Sequence, residues 1–313
     1  MSNLDATPEV TPCHAGPGAV TELLAAREVP LGGLRAMRVR RVLPQRARST
    51  VGAWCFLDEF GPQRLEMTVL PHPHTGLQTV TWPLAGEIRH RDTVGSDVVL
   101  RPGQLNLMTA GHGIAHSEFS VGADPLLHAL QLWVALPAAS AEVAPHFEQH
   151  LDLPRYTGDG AEAVVFMGEL GGVRSPATTY TELVGAEVTL APGGGGLPLR
   201  PDFEHAVLVI DGTVRVDGVE LAAGPLLYLG LDREHLEIDS AEGARLVLLG
   251  GVPFPDDLVM WWNFVGRTHE DIAAAREAWE SPSPARFGVI AAHHGERIPA
   301  PALPAVRLTP RRR

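Results

Sequence analysis

Short apolar runs broken by glycine and proline dominate the hydrophobic pattern of this chain. Leu77–Trp82 is rich in β-forming residues and leads into a turn around Gly86. Asp97–Leu100 ends at Pro102-Gly103, a dipeptide typical of turns. Runs of roughly four to eight residues bounded in this way are typical of β-strands. The remaining predicted strands lie at 104–108, 128–136, 163–167, 187–190, 205–210, 213–216 and 245–249.

One segment near the end of the chain has a helical period instead. Thr268–Asp271 fits the capping-box pattern that opens a helix. The apolar positions that follow lie on one helical face and are Ile272, Ala275 and Trp279. Ser281-Pro282 ends the pattern, and the proline-rich stretch 299–304 is expected to be extended. The sequence therefore predicts one short C-terminal helix that packs across a barrel.

Two ligand-x-ligand patterns stand in the first half of the chain. His72-Pro73-His74 comes first, and His116-Ser117-Glu118 follows on a later strand. Side chains at i and i+2 of a strand point to the same face, so two such pairs, facing each other across a small β-barrel, can close around one ion. Three imidazoles and one carboxylate suit a divalent first-row metal and leave room for water, oxygen or substrate. A metal site is therefore expected in this half.

The second half follows a similar order of strands and turns but lacks half of the site. Matching Gly86 with a turn at Asp211-Gly212 puts Pro198 and Arg200 where the first half has its two histidines. Neither side chain is a metal ligand. The later His235–Glu237 pattern is expected to be a surface pair. Two β-rich halves, of which one keeps His-x-His, suggest an all-β fold of two cupin (jelly-roll β-barrel) domains in tandem.

The same pattern predicts the domain bounds. The predicted parts are an extension without regular structure (1–30), an N-terminal barrel with the metal site (31–140), a connector (141–160), a C-terminal barrel (161–255) and a helix with a tail (256–313).

Charge makes some functions improbable on physical grounds. The 313 residues carry a formal net charge of −12, which argues against direct nucleic-acid or membrane binding. The exceptions are Arg38, Arg40 and Arg41, and the tail Arg311–Arg313, which are interpreted as solvated surface.

The cysteine count and the N-terminal residues bear on location. Two cysteines, Cys13 and Cys55, are too few for a disulfide framework. No secretion signal and no apolar run long enough for a membrane span is recognised, so a cytoplasmic protein is expected.

Several longer segments resemble the pirin family. They are Phe56–Pro62, His72–Val80, His90–Asp92, Pro102-Gly103 and Met108–Glu118, the last being the most specific. The resemblance covers most of the chain.

The resemblance implies a monomeric bicupin with Fe²⁺ in the N-terminal barrel alone. Its ligands would be His72, His74, His116 and Glu118, although Zn, Ni, Mn, Cu or Co are alternatives. Many cupins carry a ligand Glu four residues after the first histidine pair, where this chain has Gln78. The pirin pattern takes its carboxylate from the later motif instead.

Further side chains are candidates for the substrate pocket or for a position behind the ligands. Gln78 and His112 are two of them, and His112 is equally compatible with a solvated loop. Trp54, Phe56 and Met108 either line an apolar pocket or belong to the barrel core.

The resemblance implies quercetin 2,3-dioxygenase activity, with a flavonol-like substrate, O₂ and Glu118 as general base. A non-catalytic redox or metal sensor that acts through a regulatory protein partner is the alternative, and a cupin acting on another small molecule is a third. A metallo-β-lactamase-type zinc site would need His-x-His-x-Asp-His, but Thr75, Gly76 and Leu77 follow His74.

Overall fold

The structure, a computed structural model, describes residues 18–31, 37–283 and 285–310. Its strands are β1 (Ala19–Leu24), β2 (Arg27–Leu31), β3 (Met37–Leu43), β4 (Trp54–Arg64), β5 (Thr68–His74), β6 (Leu77–Ala85), β7 (Ile88–Asp92), β8 (Asp97–Leu100), β9 (Leu105–Thr109), β10 (Ile114–Ser120), β11 (Leu126–Ala135), β12 (His146–His150), β13 (Arg155–Gly158), β14 (Ala161–Leu170), β15 (Val173–Arg174), β16 (Leu183–Leu190), β17 (Gly195–Pro198), β18 (Glu204–Val216), β19 (Val219–Ala222), β20 (Leu226–Gly230), β21 (His235–Ile238), β22 (Ala244–Gly251), β23 (Val259–Trp261) and β24 (Phe264–Gly266). The helices are α1 (His269–Glu280) and two short 3₁₀ turns, Ala138–Ser140 and Ala291–His293.

Two sheets form the first barrel. One has seven strands in the order β12-β9-β6-β11-β4-β3-β2, and the other has four strands in the order β5-β10-β7-β8. The second barrel is built on a larger sheet with the path β1-β20-β18-β22-β16-β14-β13 and on the pair β17-β21. All neighbouring strands named here are antiparallel. The predicted all-β class with one α-helix is confirmed.

The N-terminal segment departs from its prediction. Residues 19–31 form β1 and β2, although no regular structure is expected there; residues 1–17 lie outside the described part. β1 pairs with β20 of the second barrel, with Ala19 opposite Gly230, whereas β2 pairs with β3 of the first barrel. Only Leu24 of β1 is buried, so this edge strand carries little of the hydrophobic pattern that reveals a strand in sequence.

The segment predicted as a connector also holds strands. β12 completes the edge of the first barrel's large sheet by pairing with β9, and β13 pairs with β14 of the second barrel. The passage between barrels is therefore only the short stretch from 151 to 154.

The predicted turn at Asp211-Gly212 is wrong. Strand β18 runs through both residues, with an irregularity in its pairing to β22 between Val209 and Asp211. Gly212 has φ +83°, a conformation that glycine adopts readily, and the residue left unpaired by the irregularity is Ile210, so the dipeptide lies within the strand beside a bulge.

The interpretation of the arginine cluster as solvated surface fails at one position. Arg41 forms two hydrogen bonds with the Asp58 carboxylate, both 2.8 Å, and the two side chains are only 4% and 0% exposed. Arg38 is exposed, as predicted, and Arg40 is partly buried against Glu59. The tail 311–313 lies outside the described residues.

The predicted C-terminal helix is confirmed. Thr268 and Asp271 form the reciprocal capping box, and Ser281 ends the helix. The three apolar positions predicted to share a face, Ile272, Ala275 and Trp279, are the buried ones and pack with aromatic residues of β23 and β24. No helix within the described ranges has the length and apolar character that crossing a bilayer requires.

The two barrels pack against each other through a shared apolar cluster. The Trp54 indole N–H faces the carbonyl oxygens of Val184 and Gly250 in the second barrel, at 3.1 and 3.2 Å. The Glu204 carboxylate accepts a hydrogen bond from the Gly52 amide at 2.6 Å. One cluster of buried apolar residues contains side chains of both barrels, so they pack as one body.

Candidate metal centre

The two ligand patterns lie on neighbouring strands. β5 carries His72 and His74, β10 carries His116 and Glu118, and the antiparallel pairing places His116 directly opposite His72. Strand alternation turns the side chains at i and i+2 toward the same side. The three histidines are therefore brought together by the register of two adjacent strands of one sheet, and not by strands that face each other across the barrel as expected.

Three imidazoles form a closed group at this place. His72, His74 and His116 are 0% exposed, and each offers a ring nitrogen within 4.8 Å of the others. Nε2 of His74 and Nε2 of His116 lie 3.1 Å apart. The His72 ring uses Nδ1 against the Leu70 carbonyl at 2.9 Å, while its buried Nε2 has no hydrogen-bond partner among the described residues. This donor set fits a divalent metal.

The protonation of these rings also fits a metal. Burial lowers the pKa of His72, His74 and His116 well below the usual 6.5, and neighbouring imidazoles lower the pKa of His74 and His116 further. At neutral pH the rings are therefore uncharged, and a neutral imidazole keeps one nitrogen lone pair for a ligand bond.

Glu118 lies beside this group rather than inside it. The carboxylate is 1% exposed and belongs to a second, overlapping cluster with His90 and His116. Its Oε1 accepts a hydrogen bond from the Thr81 hydroxyl at 2.9 Å. The fourth ligand role of Glu118 stays a prediction.

His90 and Asp92 stand behind His116. Their strand β7 pairs with β10, which puts His90 Nδ1 3.3 Å from His116 Nδ1. His90 Nε2 lies 3.0 Å from the Asp92 carboxylate. Burial raises the pKa of Asp92, but hydrogen bonds from His90 and Ser96 outweigh it and leave the pKa below its usual value. In the sequence, His90 and Asp92 stand out only as part of a segment that resembles the pirin family.

The second barrel repeats the register without the ligands. Pro198 stands opposite His235, as His72 stands opposite His116 in the first barrel. His235 and Glu237 are exposed neighbours, 2.8 Å between Nε2 and Oε1, while Leu236 and Ile238 are buried. The predicted surface pair is confirmed.

The hydrogen bonds of Gln78 and His112 are made with residues other than the three imidazoles. The Gln78 amide donates to the Thr109 hydroxyl and to the Thr178 carbonyl of the second barrel. Gln78 therefore shares the strand face that Trp82 uses to reach the second barrel, opposite the face of Thr81. The backbone carbonyl of half-buried His112 accepts from Arg286. Their roles near substrate stay predictions.

The three apolar candidates have different surroundings. Trp54 lies at the boundary between the barrels, as described above. Phe56 stacks on Trp133 with ring centroids 4.0 Å apart, and Met108 packs near Phe147. Trp133 is not among the site residues predicted from the sequence, yet its ring stands edge-on to His74, with ring centroids 5.3 Å apart. The alternation of β11 was the available signal, because Trp133 shares a face with Gln131, which pairs with Thr81.

We expect the metal-free protein to lose stability as the pH falls below 6.5. The unfolded chain then binds protons at His72, His74 and His116, whereas the folded chain does not until the pH reaches their lowered pKa values. Each such histidine removes about 1.4 kcal/mol from the unfolding free energy per pH unit. Urea titrations across this window measure the slope. His72→Gln should reduce the slope by one histidine's share, and an unchanged slope would contradict the assignment.

Comparison with known proteins agrees with the architecture. A family model described as Pirin matches residues 36–134, and one described as the Pirin C-terminal cupin domain matches residues 186–287. A Pseudomonas aeruginosa protein named as a candidate quercetin 2,3-dioxygenase is 44% identical over 286 residues, 90% of each chain. A pirin-like protein of Caulobacter vibrioides is 36% identical, over 88% of this chain and 97% of its own.

A solved structure gives the same result. The crystal structure of a quercetin 2,3-dioxygenase from Acinetobacter baumannii superposes with a TM-score of 0.86 at 39% identity, covering 92% of this chain and 98% of the other. The two predicted cupin domains are thereby confirmed. The chain belongs to the pirin family of the cupin superfamily.

Proposed function

We propose that the protein is an Fe²⁺-dependent dioxygenase of the quercetin 2,3-dioxygenase type, with a flavonol-like substrate and O₂. The observation that carries the proposal is the group of three buried imidazoles whose nitrogens face one another inside the first barrel. Relatives named for this activity support it, since they match nearly the whole chain.

In this proposal His72, His74 and His116 hold the metal, and Glu118 completes the set or stands next to it. When bound, the metal supplies Lewis acidity and a redox-active centre for the reaction with oxygen. The protein supplies three neutral imidazoles in a site from which bulk water is excluded. Phe56, Trp133 and Met108 give the barrel interior an apolar, aromatic lining, which suits a flat polyphenol.

Glu118 is the group proposed to take the flavonol proton. The Thr81 hydroxyl holds Glu118 Oε1 at 2.9 Å and also lies 3.2 Å from Gln131 Oε1. This contact orients the carboxylate toward the interior of the barrel. A carboxylate fixed in a buried site can accept a proton without the delay of rearrangement, which is what a general base requires.

The first experiment is oxygen uptake with quercetin by Fe²⁺-loaded protein whose metal content has been verified. Saturable uptake with one metal per chain is the expected result. Fully loaded protein that consumes no oxygen with quercetin would overturn the proposed substrate class.

Glu118→Gln tests the proton-accepting role. Glutamine keeps the size and can still accept from Thr81, but it is a very weak base. We expect the oxygenation rate to fall about a hundredfold or more. Glu87→Gln, which removes a half-buried carboxylate of the same barrel that is paired with Arg101, is the matched control and should retain the rate. If Glu118→Gln keeps both metal binding and the full rate, Glu118 is neither ligand nor base.

A second candidate function rests on the burial of the site. His72, His74 and His116 are all 0% exposed, which is also what a metal or redox sensor with a closed site requires. A metal held by these histidines would supply a redox-sensitive charge in a low-dielectric barrel, and a protein partner would respond to it. This function would be favoured by fully metal-loaded protein that takes up no oxygen with quercetin but changes its binding to other proteins when it is oxidised.

A further inference from the structure

His116, His90 and Asp92 form a chain of buried side chains that leads away from the imidazole group. His116 Nδ1 lies 3.3 Å from His90 Nδ1, and His90 Nε2 lies 3.0 Å from Asp92 Oδ2. His90 is 1% exposed and stacks on Phe147, with ring centroids 4.6 Å apart. The other oxygen of Asp92 accepts from the backbone amides of Val94 and Ser96, at 3.0 and 2.9 Å. Each ring is therefore held in place.

These contacts permit one arrangement of protons if both rings are neutral. The Asp92 carboxylate only accepts, so His90 must carry its proton on Nε2. His90 Nδ1 is then an acceptor, and His116 must carry its proton on Nδ1 to donate to it. The lone pair of His116 is left on Nε2, the nitrogen that lies 3.1 Å from His74 Nε2 in the imidazole group.

We propose that Asp92 and His90 are positioning residues that fix His116 in the tautomer able to bind metal through Nε2. This deepens the proposed function, since it rests on His116 being a ligand. A ligand histidine commonly donates its other N–H to a carboxylate or carbonyl. Here a second imidazole is inserted between the ligand and the carboxylate, and it transmits the same constraint.

The proposed arrangement of protons also determines which of the two overlapping clusters around His116 can bind a metal ion. His90, His116 and Glu118 lie close enough to hold an ion of their own. In the proposed arrangement, however, both ring nitrogens of His90 are engaged, one by Asp92 and one by His116. His90 then has no lone pair for a metal, and the protein binds one ion per chain.

Asp92→Asn is the decisive variant because it should reverse the direction of both hydrogen bonds, the one between residue 92 and His90 and the one between His90 and His116. The loop amides of Val94 and Ser96 will hold the Asn carbonyl oxygen, so its NH₂ group faces His90 Nε2. His90 Nε2 must then accept, His90 Nδ1 becomes the donor, and His116 is left with its proton on Nε2. We expect the affinity for Zn²⁺, the probe metal, to fall about ten- to a hundredfold.

Asp92→Ala is the matched comparison. It removes the acceptor for the loop amides but imposes no wrong tautomer. A merely structural role for Asp92 predicts that alanine weakens Zn²⁺ binding more than asparagine does. The proposal predicts the opposite order. Competition with a chelator of known affinity gives both constants, and metal analysis gives the stoichiometry.

Ring ¹⁵N spectra of the metal-free protein provide a readout that does not depend on activity. The wild type should show His116 protonated at Nδ1 and His90 at Nε2, and both should switch in Asp92→Asn. Wild-type Zn²⁺ affinity in Asp92→Asn, two ions per chain, or the opposite tautomers would overturn the proposal. If the two Asp92 variants give the expected order of Zn²⁺ affinities and the wild type gives the expected tautomers, the proposal is supported. If the wild type then consumes no oxygen with quercetin, only the proposed activity is wrong.

Discussion

His116→Ala is expected to abolish oxygen uptake with quercetin and to lower the affinity for Fe²⁺ by more than about a hundredfold. His116 is the residue shared by both clusters of possible ligands, and its Nε2 lies 3.1 Å from that of His74. Its loss removes one imidazole of three and also cuts the connection from His90 and Asp92 to the site. Metal content after dialysis and oxygen-electrode traces measure the two effects.

The second barrel offers the matched control for this variant. His235 occupies the corresponding place in its own His-x-Glu pattern, but its neighbour across the strands is Pro198 and its side chain is exposed. His235→Ala should leave metal content and oxygen uptake unchanged. Retention of one tightly bound iron by His116→Ala would mean that the metal is held elsewhere.

Arg41→Ala is expected to lower the free energy of unfolding by about 3–5 kcal/mol. Asp58 is 0% exposed and receives two hydrogen bonds from the Arg41 guanidinium, so the variant leaves a buried carboxylate without its charged partner. The guanidinium also lies 4.6 Å from the centre of the Phe56 ring, which stacks on Trp133 beside His74. Urea unfolding followed by tryptophan fluorescence measures the loss.

Two further variants test whether the loss of stability in Arg41→Ala comes from the burial of the charged pair. Arg38→Ala removes an arginine from the same strand, but its ion pair with Glu28 is 80% and 65% exposed, so little change is expected. Arg41→Met combined with Asp58→Leu removes both buried charges and should recover most of the lost stability. An equally large loss in Arg38→Ala would show that the effect is not one of burial.

The strands that sequence reveals are those whose signals are local. Leu77–Trp82 and Asp97–Leu100 carry β-forming residues with turn residues a few positions away. The first segment lies in β6 and the second forms β8. Strands β1 and β12 lack such signals because they bury little surface and depend on partners far along the chain. These two strands form because the sheet edges at β20 and β9 provide backbone hydrogen-bond partners for them.

The site was predictable to the extent that it depends on alternation within one strand. His72 and His74 share a face, and so do His116 and Glu118, whatever the rest of the fold. The position of Gln78 required knowing which face of β6 points into the barrel, and this depends on packing against the second barrel. The contact of His90 with His116 required the register of β7 on β10, which no local pattern contains.

Pairing of β1 with β20 has a consequence for how the chain is made. Ala19 is synthesised 211 residues (230 − 19) before its partner Gly230. Until then β1 has no sheet to join, although the first barrel can already close around its own strands. The second barrel can add β1 only by recruiting a segment from the opposite end of the nascent chain. Such long-range pairing slows folding, so we expect the docking of β1 to be among the last events in the maturation of this protein.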